Sequence, residues 1–181
     1  MPRGRVDAVL DATLAALAEH GYGFSVDDVA RAAGVHKTTV YRRWETKPAL
    51  VAAAVQRLAD VQIPVPDTGD AVADLTTLAV QVAGALRTSA GVAALRAAVA
   101  AASDDPELVE VAGRFLTARY ATAAGIVAAG QAAGTLRADA DPQLLWQAMV
   151  NPLHMAAICG TPPSDDMARR LVALVLDGVR G

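Results

Sequence analysis

Cysteine is almost absent from this chain. Cys159 stands alone among 181 residues, so no internal disulfide can form and nothing in the cysteine usage points to an oxidising compartment. Lysine is nearly as scarce, with Lys37 and Lys47 the only two. Aromatic residues supply 4% of the sequence against 54% for hydrophobic residues as a whole, much of that alanine. Such a composition favours helices packed closely through small side chains and predicts no sheet.

Several kinds of chemistry are missing too. His20, His36 and His154 are scattered, and no pair has metal-ligand spacing. No glycine-rich phosphate loop opens a helix and no nucleophile-elbow pattern occurs, so neither a cofactor nor a catalytic residue is implied. His154 and Cys159, five apart on a helix, project roughly 140° apart around its axis, which argues against a Cys–His pair. Met1-Pro2-Arg3-Gly4-Arg5 leads into an amphipathic rather than a continuously apolar segment, so no secretory signal is expected and a cytoplasmic location is. Residues 120–136 and 142–164 carry no charge. The first stretch is too short and alanine-rich to span a bilayer, and the second contains Gln143, Gln147, Asn151, His154 and four prolines.

What is present concentrates between Ser25 and Lys47. Ser25 precedes Asp28 by three residues, a helix-start pattern in which the hydroxyl accepts from an exposed backbone N–H and the acid faces the positive end of the dipole. Val26, Val29, Ala30 and Ala33 then recur at helical spacing as a narrow stripe of small apolar side chains. Gly34 ends that helix, because glycine takes a left-handed backbone conformation without a Cβ clash. A second helix is predicted over residues 36–44, with Val40 and Trp44 turned inward and Lys37, Thr38, Thr39, Tyr41, Arg42 and Arg43 offering donors on the rest of its surface. From His36 to Lys47 four cationic residues face one acid, Glu45, a local balance of +3 inside a chain of net charge −3.

A short helix, a glycine turn and a donor-rich helix are what a helix-turn-helix needs to lay its second helix in a major groove about 12 Å wide. Charge and periodicity alone fit a solvated basic face on an ordinary helical hairpin equally well. The full run separates the two. Phe24 to Val35, followed by Lys37, Thr39, Tyr41, Trp44 and Lys47 before Leu50, resembles the N-terminal DNA-binding domain of TetR-family transcriptional regulators over about the first third of the chain.

Ahead of this motif, a first helix is predicted over residues 6–19, with Val6, Leu10, Thr13, Leu14 and Leu17 on one face. Arg3 and Arg5 precede it as a basic arm that either follows the nucleic-acid backbone or frays into solvent. Behind the motif, Thr46 caps a fourth helix whose first turn tolerates Pro48. Lys47 then stands at a helix start, a place suited to a phosphate, and the matching lysine has that role by resemblance to the family.

Pro64, Pro66 and Gly69 mark a linker between a helix-turn-helix domain over residues 1–60 and a larger domain over 61–181. The first part carries eight Lys/Arg against seven Asp/Glu and the second eight against twelve, so the acidity sits away from the motif. Five further helices are predicted over residues 70–88, 92–102, 106–133, 142–158 and 165–179, giving an all-α chain of about nine helices. Ser103, Asp104 and Asp105 signal the start of the long third one, and Ser164 to Asp166 that of the last.

The long helix reads as apolar on two faces and central. Leu108, Ala112, Phe115 and Ile126 line one face; Val109, Leu116, Tyr120, Ala123 and Val127 line the other. Arg119 falls on the first line, where it snorkels, pairs with an acid or meets a ligand. Asn151-Pro152 is expected to interrupt and kink the next helix, and Trp146, Met149, Asn151, His154 and Met155 around it form either a ligand cavity or ordinary core. Met167, Leu171, Leu174 and Val175 share a face of the last helix. The resemblance implies that the last two helices form a four-helix dimer interface, while the sequence alone also allows that face to pack within its own domain.

These readings describe a homodimeric regulator that binds a palindromic double-stranded operator and answers to a small-molecule effector, most simply as a repressor. In it Thr38, Thr39 and Arg42 or Arg43 read bases, Ser25, Lys37, Tyr41 and Lys47 hold phosphates, and His36 completes the surface. The alternative is a helical ligand-binding protein or enzyme whose N-terminal hairpin makes protein contacts.

Overall fold

The computed structural model describes residues 1–104 and 106–179, without the side chains at positions 100–104, 108, 111, 112 and 116. The expected start signals at Ser103, Asp104 and Asp105, and the faces taken by Leu108, Ala112 and Leu116 on the long helix, rest on Asp105 and on side chains that lie outside what is described. Among those described there are nine α-helices and no strand: α1 (Arg3–His20), α2 (Val26–Ala32), α3 (Lys37–Tyr41), α4 (Lys47–Gln62), α5 (Ala71–Ala85), α6 (Ser89–Asp104), α7 (Pro106–Ala132), α8 (Pro142–Ile158) and α9 (Asp165–Asp177). A single 3-10 turn, Gly21–Gly23, follows α1.

The starts form where the sequence carries short polar side chains. The Ser25 hydroxyl accepts from the Asp27 amide, Asp70 from Val72 and Ala73, Asp141 from Gln143 and Leu144, and Ser164 from Met167. Thr46 accepts from the Ala49 amide at 3.2 Å and so caps α4. Each of these satisfies an amide that the first helical turn leaves without a partner. Gly34, at φ +64°, lets the Val35 amide return to the Ala30 carbonyl at 3.0 Å, which closes α2 and turns the chain into α3.

The chain divides into two compact units. The first comprises Met1–Asp60 together with Ser89–Phe115, and the second Val61–Thr88 with Leu116–Gly181. The first unit is thus built from two separate runs of the chain, the second of them Ser89–Phe115. What brings the chain back is α6, which packs along α1 and places Ala97 in the core formed by Val9, Leu17, Phe24, Val29, Val40 and Leu50. Arg57 of α4 adds ion pairs to Asp7 and Asp11 of α1 at 3.2 Å each.

In the second unit α5, α8 and α9 pack on one another around Leu75, Leu78, Met149, Leu153 and Leu176. The end of α7 joins them, with Ala123 and Val127 fully buried. Its approach needs Gly130, since a Cβ there would lie 2.8 Å from both Ala71 Cβ and Leu136 Cδ1. The expectation that α7 is covered on most sides holds only for this end, because Val109 is largely exposed.

Three local expectations are corrected. Arg3 and Arg5 belong to the first turn of α1, where the Arg5 amide bonds to the Pro2 carbonyl, and so form no separate arm. Helix α3 is shorter than predicted, Lys37–Tyr41, and beyond it the Arg43 amide closes back only three residues, onto the Val40 carbonyl at 3.0 Å. Pro152 does not interrupt α8, which continues to Ile158 and buries Leu153 immediately after it.

Candidate nucleic-acid interface

The helix-turn-helix presents its polar residues outward from a fixed base. Val26, Val29 and Ala30 of α2, and Val40 and Trp44 of the α3 segment, are buried together with Leu50 and Val51 of α4. With those positions inward, Ser25, His36, Lys37, Thr38, Tyr41, Arg42 and Arg43 are exposed, and Thr39 is half-buried. Seven of the nine expected nucleic-acid contacts thus lie fully on the surface of one small unit, and the alternation follows from the helical period.

Their chemistry is partly set by neighbours. His36 caps α3, its Nδ1 accepting from the Thr38 amide at 3.4 Å and lying 2.9 Å from the Thr38 hydroxyl. Lys37 reaches back to Asp27 of α2 at 3.2 Å, with both side chains about half exposed. An exposed pair of this kind is worth little, so a phosphate can take the ammonium at small cost. The Arg43 guanidinium lies over the Trp44 ring, 5.5 Å from its centroid. Arg42 is exposed and meets no carboxylate among the described residues.

Lys47 departs from its expected place. Its ammonium is turned inward, donating to the Tyr22 carbonyl at 2.5 Å and the Phe24 carbonyl at 2.7 Å. It also lies 4.5 and 4.3 Å from the centroids of the Tyr22 and Phe24 rings. Burial pulls its pKa below the ordinary lysine value, while the carbonyls and ring faces attract the charge. Its spacing in the sequence marked a cation at a helix start. It carried no signal that two backbone carbonyls 25 and 23 residues upstream would take the charge. Sequence reasoning also missed Glu107, at the start of α7, whose carboxylate accepts from the Thr46 hydroxyl.

The residues expected around a ligand do not converge. Trp146 and Met149 are buried in the second unit, and His154 is half-buried, its imidazole pushed below its ordinary pKa by desolvation. Asn151 is exposed and Met155 is 59% exposed, so neither lines an interior. Both fall on the outer stripe of α8, on the side away from Leu153 and Met149. Arg119 donates to the Ile63 carbonyl at 3.0 Å, which anchors the segment after α4 to α7. Phe115, half-buried, belongs to the first unit. On α9 the buried positions are Ala168, Val172 and Leu176, while Met167, Leu171 and Val175 are half-buried and Leu174 is 72% exposed. No group of three or more His, Cys, Asp or Glu side chains among the described residues is placed to hold a metal ion. Nor is any single helix among them long and apolar enough to cross a membrane.

The sequence matches two family models in turn, residues 9–54 that of the bacterial regulatory proteins of the tetR family and residues 65–175 that of the tetracyclin repressor-like C-terminal domain. The HTH-type transcriptional regulator AqdR of Rhodococcus erythropolis is 33% identical over 176 residues, spanning 95% of this chain and 84% of that protein. The chain belongs to the TetR family. YdeS of Bacillus subtilis, an uncharacterized HTH-type regulator, is 30% identical over 98% of this chain and 90% of its own length. Among solved structures, a TetR-family regulator from Rhodococcus sp. superposes with a TM-score of 0.80 at 26% identity, covering 99% of this chain and all of that one. A TetR regulator from Agrobacterium tumefaciens follows at 0.75 and 26% identity, over 97% of this chain and 94% of its own. This TetR-family chain is therefore a DNA-binding transcriptional regulator.

Proposed function

We propose that this TetR-family regulator acts in the cytoplasm as a homodimeric, ligand-responsive repressor without enzymatic activity, gripping a two-fold operator with one α3 from each copy. The observation that carries the reading is the exposed donor face of α3 on a buried Val40–Trp44 base. Thr38, Thr39 and Arg42 reach base edges, and Ser25, Lys37 and Tyr41 hold phosphates. Arg42 is favoured over Arg43 as the base reader because the Arg43 guanidinium is laid on its own tryptophan.

The paired copies meet through α8 and α9. These helices pack on each other, and each leaves apolar side chains on its outer side, Leu144 and Met155 at 64% and 59% exposure and Leu174 at 72%. Leu171 and Met167 continue the α9 stripe one and two turns before Leu174, and Val175 lies at its edge. A face of this kind on two neighbouring helices suits an isologous interface. The effector is a small molecule held in the second unit, with Trp146, Met149, His154 and Arg119 as the residues to vary first. Preferring one spacing of the two heads, it weakens operator binding by the factor by which DNA weakens its own.

Selection of bound sequences from a random duplex pool tests this reading. It predicts a palindromic site whose half-site centres lie one helical turn, about 34–36 Å, or a multiple of that, apart. Leu174→Asp is expected to yield monomers by sedimentation and to lose the selected site. A site without two-fold symmetry, or monomeric wild-type protein bound to it, removes the homodimer, and salt-insensitive or absent binding removes the interface.

A further inference from the structure

The inward turn of Lys47 places a cation between the entrance and the exit of the reading motif. Tyr22 and Phe24 lie on the chain entering α2, and Lys47 is the first residue of α4, which leaves α3. Everything that reads DNA lies on the loop between them. Two of the three ammonium donors go to the carbonyls of Tyr22 and Phe24, and the two ring faces flank the charge at 4.5 and 4.3 Å. A phosphate could take this ammonium only by displacing two charge-assisted hydrogen bonds and opening an aromatic pair.

We propose that Lys47 is a positioning residue, a clip that ties the chain before α2 to the start of α4 and so fixes the tilt of α3, and that it makes no phosphate contact. This departs from the role that resemblance to the family gave it. The need for a clip is physical. The α3 helix has five residues, too few to hold its own shape, and its seat is one buried valine and one tryptophan. Joining the two ends of the loop restricts the rotation of the whole α2–α3 pair, as any cross-link between distant residues does. A phosphate contact adds affinity to every sequence alike, whereas a clip acts on alignment with base edges.

The proposal rests on DNA binding through α3, and thermal unfolding, which needs no DNA, separates its failure from failure of that interface. Lys47→Ala and Tyr22→Leu are compared with wild type, using the duplex that wild type selects and a random-sequence duplex, well below the unfolding midpoint. For Lys47→Ala the expected result is a lowered midpoint, roughly tenfold weaker binding to the selected duplex and a smaller loss on the random one. The slope of log Kd against log salt stays at the wild-type value. Tyr22→Leu, which keeps the ammonium, shows the same pattern to a smaller degree and decides the matter if Lys47→Ala does not fold.

A salt slope flatter by about one unit makes Lys47 a phosphate contact and overturns the proposal, whatever happens to the midpoint. An unchanged midpoint in both variants removes the clip. A lowered midpoint with the same ratio of selected to random binding makes Lys47 structural only, which also overturns it.

Discussion

The two units of this regulator use the same alanine-rich helices for opposite ends. In the first, the informative side chains point out: Lys37, Thr38, Tyr41 and Arg42 are exposed while Val40 and Trp44 beneath them are buried. In the second, helices converge through small contacts such as Gly130 against Ala71, and the large residues Trp146 and Met149 are enclosed. A surface that must meet a regular duplex has its side chains placed by the period of one helix. An enclosed region takes its shape from several helices at once, and no single one of them records it.

That contrast can be broken or sharpened at particular residues. The largest effect is expected from Trp44→Ala, which empties the seat of α3 and costs about 3–5 kcal/mol, read as loss of both fold and DNA binding in the first unit by thermal unfolding and gel shift. Gly130→Ala should act on the second unit alone. Its added methyl meets Ala71 and Leu136 at 2.8 Å, a clash of about 1–3 kcal/mol seen in denaturant unfolding, with folded protein still binding DNA. Loss of DNA affinity in that variant at temperatures where it remains folded breaks the separation of roles.

Arg42→Ala is expected to leave stability unchanged and to relax base choice at one position of each half-site by about 1–3 kcal/mol, measured by repeating the duplex selection with the variant. The smallest effect concerns His154. Burial keeps its folded-state pKa below the ordinary 6.5, so the unfolded chain binds the proton more readily. Stability therefore falls as pH drops below about 6.5 and levels off below the folded value. Denaturant titrations of wild type and His154→Gln across that range should differ in this slope, and equal slopes mean that the imidazole is solvated.

How far the sequence could be read follows the same division. The caps at Ser25, Thr46 and Ser164 formed as expected because each is a contact between neighbours within three residues, and Asp70 and Asp141 cap their helices in the same local way. The bounds of α8 agree with the prediction for the same reason, although Pro152 sits inside it, where buried Leu153 and Val150 hold the helix. The return of residues 89–115 to the first unit was not legible, since α6 and α7 carry ordinary apolar patterns and nothing in a pattern says which partner it will cover. Asn151 and Met155 were misplaced beside Trp146 because nearness along a helix says nothing about which side faces inward.

By itself the sequence determined an all-α chain with a reading motif between Ser25 and Trp44, its family, and its polar face, because helical period, capping and the glycine turn are set by residues a few positions apart. Tertiary structure alone decided that Lys47 turns to the Tyr22 and Phe24 carbonyls, that Arg119 anchors Ile63, and that Met155 and Leu174 stay outside. Each of those outcomes depends on which distant backbone or side chain arrives to compete for a charge or an apolar surface, and only packing brings the competitors together.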